Sequence, residues 1–346
     1  MKARYGLGFV QREPYQEGAQ LVTDLLAVDR LNVLVIVDNL TDNLSTNPDY
    51  VVPEWIGLSK ARRLPRLCGK ATCCAHHGLS LLLTAHVGTS SHRLLFDAGP
   101  EGATFLRNTE ILGVDLSTVA TVVLSHGHWD HAGGLVPAIE EISKQRGLKV
   151  DCFVHPGMFA DRAMTRPSGE YLMFEPVPQP EVLTRAGATI ISTREPQVIG
   201  GGAFYLSGEI QRVTPYEAGF PSHVRRSEDG QRWEPDPLIL DERFISVHVK
   251  NKGQVVFSAC SHAGIVNVLT HACAVLPSAP LYGVCGGLHL SGMTEPVIPE
   301  TVADLQRFGL KLLAPGHCTG WRAIGAMTKV FENELVPLAV GKSYVL

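Results

Sequence analysis

His126-Gly127-His128-Trp129-Asp130-His131 places three imidazoles and a carboxylate in six consecutive positions. A packed core has little use for that density of polar side chains, and a solvated loop has no reason to collect them. A metal centre does. Imidazole nitrogen is a borderline ligand and carboxylate oxygen a hard one, a combination that suits zinc, iron or manganese. In an extended or tightly turning loop His126 and His128 point the same way, because side chains alternate with period two. Asp130 and His131 follow where the chain turns into Ala132-Gly133-Gly134. One pair can therefore serve one metal, and the next pair a second beside it.

The flanks define the setting. Ala120 to Leu124 is a β-branched, apolar run of buried-strand type, so the loop lies at the C-terminal end of a strand. Ligands gather at that edge in α/β sheets. Leu135 to Lys144 has helical composition, with Pro137 tolerable in the first turn. Further strands are expected at Leu31–Val37, Leu79–Ala85, His92–Phe96, Leu148–Val154, Phe244–Val249, Gln254–Phe257, Pro280–Val284 and Leu310–Ala314. Helices are expected at Thr104–Leu112, Ile265–Val275 and Pro299–Phe308. Strands and helices mix in both halves, which predicts an α/β protein of sheet layers flanked by helices. Residues 40–75 read as irregular. Residues 156–240, rich in Pro, Gly and charge, read as an insertion or lid within a single domain spanning 1–346.

Bulk properties narrow the function. The chain has 346 residues, 45% hydrophobic and 18% charged, enough for a sizeable core. A net charge of -4, with only short basic clusters at Lys60–Arg63 and Arg225-Arg226, argues against nucleic-acid binding. Eight cysteines lack the regular spacing of a disulfide framework, so free thiols in a reducing cytoplasm are expected. Met1 to Tyr5 leads into no apolar segment of signal-peptide type, and no run is long enough to span a bilayer. The expected partner is a small-molecule substrate; nucleic acid and membrane are not expected.

Two metals need about six protein ligands, at three per catalytic zinc. His262 (Cys260-Ser261-His262-Ala263-Gly264), His289 (Gly286-Gly287-Leu288-His289) and His317 (Pro315-Gly316-His317-Cys318) each follow an apolar strand with glycine nearby. Three parallel contexts point to ligands, His262 and His317 ahead of His289. Cys260 is either a thiolate ligand or an ordinary small buried residue. Asp97, before Ala98-Gly99, either orients a ligand histidine through its second ring nitrogen or is a turn residue. His77 either faces the site or substrate or belongs to a surface pair with His76, a reading that suits His76 better; His155, after a strand end, is either a substrate contact or a structural residue. His86, His92, His223, His248 and His271 have no special context.

Together these residues resemble the metallo-β-lactamase superfamily, whose His-x-His-x-Asp-His motif is matched by His126, His128, Asp130 and His131. The resemblance runs from the strand at Leu31 to His317. It is narrowest toward the 7,8-dihydropterin-6-yl-methyl-4-(β-D-ribofuranosyl)aminobenzene 5'-phosphate synthase-like branch. That likeness rests on Val37-Asp38-Asn39, His77-Gly78-Leu79-Ser80, Leu95-Phe96-Asp97-Ala98-Gly99, Cys260–Gly264, Gly286–Leu290 and His317-Cys318-Thr319-Gly320. It implies an αββα metallo-β-lactamase-like sandwich with metals at one edge. It also implies that His126, His128 and His262 serve one metal, and Asp130, His131 and His317 the other. The chain departs from the hydrolase pattern of that family: it has no His-Thr-x-Gly-His segment and no bridging Asp at a Gly-Asp strand end. The bridging position falls to His289 or Cys260, or stays empty.

The expected function is metal-dependent hydrolysis of a phosphodiester, lactone or similar ester by a metal-activated hydroxide. Two divalent metal ions are expected, zinc before iron or manganese, with Asp130 as the catalytic residue that holds the hydroxide and accepts its proton. The alternatives are a synthase or transferase acting on a pterin and an aminobenzene ribosyl phosphate, or a metal-bound sensor without turnover.

Overall fold

In the computed structural model, Val22 and residues 24–346 are described; the leader reading at Met1 to Tyr5 lies outside them. Two sheets stack face to face. One runs in the order Ala188–Ser192, Val150–Val154, Thr121–Val123, Ser90–Phe96, Ser80–Val87, Arg30–Val37, Ser343–Val345, Val51–Val52. The other runs Gln197–Ile199, Phe204–Leu206, Phe244–Val249, Gly253–Ser258, Leu281–Gly287, Leu312–Gly316, with Ala27–Val28 pairing beside Phe244–Val249. Central strands such as Arg30–Val37 and Gly253–Ser258 are Val/Leu-rich because both of their faces are covered.

Three apolar layers result. Leu31, Val33, Val35, Leu81, Leu83 and Phe96 meet Val247, Val255, Phe257 and Leu312 between the sheets. Helices Gly102–Leu112 and Leu135–Arg146 cover the outside of the first sheet through Phe105, Leu135, Ala138, Ile139 and Ile142. Helices Ile265–Val275, Ile298–Arg307 and Trp321–Phe331 cover the second through Val268, Leu269, Leu305 and Met327. The order is αββα. Each fully buried Leu or Phe contributes about 1.5–3 kcal/mol relative to exposure.

The element boundaries expected from periodicity agree within a few residues. The irregular stretch 40–75 contains one short helix, Glu54–Lys60, and the strand Val51–Val52. Within 156–240, residues 188–192, 197–199 and 204–206 run in the two main sheets. The rest builds a small separate sheet, Trp233–Pro235, His223–Arg226, Arg162–Thr165 and Tyr171–Met173. No helix among the described residues is long and apolar enough to cross a membrane.

Phe96 lies fully buried between the sheets, directly before Asp97. Phe96→Ala is expected to cost about 3–5 kcal/mol in urea unfolding, the range for a large-to-small change in a packed core.

Candidate metal centre

The parallel strands Ser90–Phe96 and Thr121–Val123 end together, as do Gly253–Ser258, Leu281–Gly287 and Leu312–Gly316 on the facing sheet. Their C-terminal loops carry the polar residues picked out by sequence. The His-rich loop does not stay extended: Trp129–Ala132 winds into one helical turn. Gly133 and Gly134 let that turn press on the next loop, since a Cβ at either would stand 1.9 Å from the Pro100 carbonyl or 2.2 Å from that of Ala98.

Two donor groups converge there. His126, His128 and His262 have ring nitrogens within 4.8 Å of one another, and all three are buried. Asp130 Oδ2 is the hub of the other group, 3.3 Å from His317 Nε2, 3.4 Å from His77 Nε2 and 3.8 Å from His131 Nε2.

Hydrogen bonds on the far side of each ring fix which nitrogen faces inward. His131 Nδ1 donates to Asp97 Oδ2 at 2.7 Å, so Nε2 faces the centre. His126 Nδ1 lies 2.8 Å from Ser125 Oγ, which donates to the same Asp97 oxygen. His317 Nδ1 meets Asn39 Oδ1 at 3.1 Å. His126 Nε2 and His128 Nδ1 then stand 3.0 Å apart, two lone pairs directed at one point. Among the described residues His262 has no hydrogen-bond partner on either ring nitrogen, and His317 Nε2 has only its 3.3 Å approach to Asp130. Buried polar atoms rarely remain unpaired in proteins, and a cation is one of the few things that resolves it. The donor set thus fits divalent metal binding.

Electrostatics divides the two groups. Burial, with neighbouring histidines adding to it, holds His126, His128 and His262 well below the ordinary imidazole pKa, so their rings are neutral, the state in which imidazole can bind a cation. Burial also opposes charge on His131, but the Asp130 and Asp97 carboxylates outweigh it and push its pKa up to about 9. Burial opposes ionisation of Asp130 as well, and His131 and His317 overcome it, holding the carboxyl far below the usual carboxylate range.

The centre opens into a cleft of about 360 Å3, lined among others by Asn39, His77, Trp129, Phe174, Phe220, His289, Ser291, Cys260 and Cys318. Cys260 Sγ lies within 4.8 Å of ligand atoms of both His126 and His131, one from each donor group.

Known proteins match this arrangement. The family model of the metallo-beta-lactamase superfamily matches residues 78–198, the span that includes the His-rich loop. Over residues 78–198 the chain is similar to the metallo-β-lactamase superfamily. A Methanocaldococcus jannaschii protein, 7,8-dihydropterin-6-methyl-4-(beta-D-ribofuranosyl)-aminobenzene-5'-phosphate synthase, is 28% identical over 272 residues, covering 78% of this chain and 89% of that protein. An uncharacterised protein of the same organism is 28% identical over 268 residues, covering 78% and 93%. The crystal structure of a metal-dependent hydrolase of the beta-lactamase superfamily superposes with a TM-score of 0.66 at 22% identity, over 91% of this chain and 98% of that one. That likeness concerns the fold alone.

Not every expected site residue reaches this centre. His77 does: Asn39 Nδ2 donates to its Nδ1, which leaves the proton on Nε2 facing Asp130. His289 lines the cleft, with its ring centroid 4.3 Å from that of His262. His155 is not among the cleft-lining residues. Its Nδ1 accepts from Gly157 N–H and its Nε2 meets Glu209, so it caps a short turn. His76 is exposed.

The residue that sequence reading passed over is His223, in the small sheet. Its Nε2 lies 3.1 Å from His128 Nε2, and its Nδ1 donates to the Asp236 carbonyl at 2.8 Å. His128 must then donate from Nε2, which frees Nδ1 for the centre. Nothing near position 223 in sequence signals this; only strand pairing between His223–Arg226 and Arg162–Thr165 delivers the ring. In zinc-loaded protein, His223→Ala is expected to weaken zinc affinity about 10–100-fold, the usual cost of losing a partner that orients a ligand. Chelator competition measures it, and His223→Gln, which retains an acceptor, is expected to recover part of the loss.

Proposed function

We propose that this chain is a metal-dependent hydrolase of a small phosphodiester, lactone or related ester. It would hold one divalent cation through His126, His128 and His262 and another through Asp130, His131 and His317. The observation that carries the reading is the set of inward lone pairs without partners, above all at His262, beside an ionised Asp130 and open to a cleft. Cations held there would supply Lewis acidity and bring the pKa of a coordinated water toward neutrality. Zinc is the first choice, because nitrogen donors and nearby thiols favour it over harder cations.

The protein's own groups supply the rest. Asp130 Oδ2 is the proton acceptor, and His77, half exposed with its Nε2–H 3.4 Å away, orients that carboxylate from the cleft side. Trp129, Phe174 and Phe220 wall the cleft and exclude water from the reacting bond. A side pocket of about 200 Å3 shares His262 and His289 with the cleft and is lined by Ile265, Leu288, Leu290, Met293 and Val297. It suits an apolar part of the substrate. Eight free cysteines fit a reducing, cytoplasmic setting.

Similarity to the archaeal synthase favours a second reading, joining a pterin to an aminobenzene ribosyl phosphate. The two separate by product: hydrolysis incorporates oxygen from labelled water, whereas a synthase consumes both organic partners and yields one larger product. A loaded protein inert to phosphodiesters, lactones, thioesters and the synthase substrates would instead be a sensor.

His128→Ala is expected to abolish turnover and to empty the histidine set, read by metal analysis after gel filtration. Turnover that survives unchanged removes the hydrolase reading. A pH dependence follows from the charges. Below about pH 9 the His131 proton must leave before a cation binds beside Asp130, so affinity there is expected to rise with pH up to that value. The neutral His126, His128 and His262 set releases no proton at neutral pH. Calorimetry in buffers of different ionisation enthalpy resolves one proton-coupled and one proton-independent event.

A further inference from the structure

Two thiols and an imidazole on the cleft floor belong to neither donor set described above. Cys260 and Cys318 come from loops after different strands, yet their sulfurs lie 3.2 Å apart and both side chains are buried. His289 completes a group whose ligand atoms all lie within 4.8 Å. Its Nδ1 is buried with no hydrogen-bond partner. All three residues line the open cleft.

We propose that Cys260, Cys318 and His289 form a separate cation subsite for a thiophilic divalent metal such as zinc, with its remaining coordination position facing the cleft. The chemistry fits: two sulfurs and one nitrogen is a known zinc donor set with an open fourth position. The sulfurs sit closer than twice the ~2.3 Å zinc–sulfur distance, so one ion reaches both. The backbone is arranged for it. A Cβ at position 287 would stand 2.6 Å from Cys318 Sγ, so only glycine there leaves room for the thiol. His289 holds a φ of 43°, a conformation non-glycine residues rarely adopt, and one of its ring nitrogens lies within 4.8 Å of both sulfurs. Disulfide formation is the competing use of two adjacent thiols. The buried position beside a third donor favours metal over oxidation, and all eight cysteines are free. The subsite does not require that the chain be a hydrolase, nor that the other two sets be filled.

The test uses full-length protein stripped by chelator and reloaded with cobalt(II) or zinc under reducing conditions. Wild type is expected to show thiolate-to-cobalt charge-transfer absorption in the near ultraviolet and to protect both thiols from alkylation. Cys318→Ser is expected to lose that band and one equivalent of zinc, and His289→Gln to weaken zinc retention while keeping part of the band. His128→Ala is expected to keep the band while losing metal elsewhere, which separates failure of the main centre from failure of this one. Circular dichroism confirms that each variant is folded. The proposal falls if reloaded wild type shows no thiolate band, if Cys318→Ser leaves band and stoichiometry unchanged, or if the pair forms a disulfide in the presence of zinc.

Discussion

The loops that carry His126, His128, His131, His262 and His317 hang from buried acidic side chains. Asp97 accepts from the Ser125 N–H at 2.7 Å, next to His126, while also holding Ser125 Oγ and His131. Asp241 accepts from Gly127 N–H at 2.8 Å, between His126 and His128. Glu242 accepts from the N–H groups of His262 and Ala263, and Asp38 from that of His317. An isolated carboxylate in a dry interior is costly: Arg162 outweighs burial at Asp241, whereas burial outweighs the donors at Asp38 and Glu242, lifting Asp38 above the usual carboxylate range and Glu242 to about 7. The cost is offset by positional precision: the ligand loops are irregular backbone, and charge-assisted bonds fix them where no strand ladder can.

Asp97 is the most constrained of the four. It sits fully buried at a φ of 61°, directly after the strand that ends at Phe96, and its own carbonyl accepts from Ser80 Oγ. Its two oxygens pin both donor groups at once, His126 through Ser125 and His131 directly. Asp241 does related work from the other side. Arg162 of the small sheet pairs with it at 2.5 Å, so the sheet that supplies Phe174 and His223 is tied to the His-rich loop by a buried ion pair. Removing one partner of such a pair leaves an uncompensated buried charge, which couples the order of the small sheet to the geometry of the loop.

Much of this was legible in residue order. Apolar runs ending in His, Asp or Gly announce strand ends, and a His-x-His-x-Asp-His run at such an end has few readings other than a metal site. The role of Asp97 toward His131 was one of two readings that its strand-end position allowed. The supporting carboxylates Asp38, Asp241 and Glu242 were not legible, because each acts on backbone N–H groups far away in sequence, 279 residues away in the case of Asp38 and His317. His223 was missed for the same reason: its neighbours in sequence are ordinary surface residues, and its meaning comes from a cross-strand register. His155 had two readings, substrate contact or structural residue, and its surroundings favour the second. A His at a strand end looks like a ligand or substrate contact, but a turn beginning at Pro156 gave the ring a local N–H to accept.

The missing bridging aspartate has a physical counterpart in the charge distribution. The His126, His128 and His262 group is neutral, while the Asp130 group carries a fixed carboxylate and a histidine held protonated until about pH 9. Burial opposes ionisation of Cys318, but the hydrogen bond from Cys260 and the neighbouring His317 and His289 overcome it, so this thiol lies well below its ordinary value and Cys260 keeps the proton of the pair. Cys260 Sγ lies within 4.8 Å of donor atoms of both His126 and His131, so the thiol pair borders both donor groups. Sulfur is softer and more polarisable than carboxylate oxygen, so any cation site that this border completes would favour zinc-like ions over manganese, and the charge on one thiol acts on both donor groups at once.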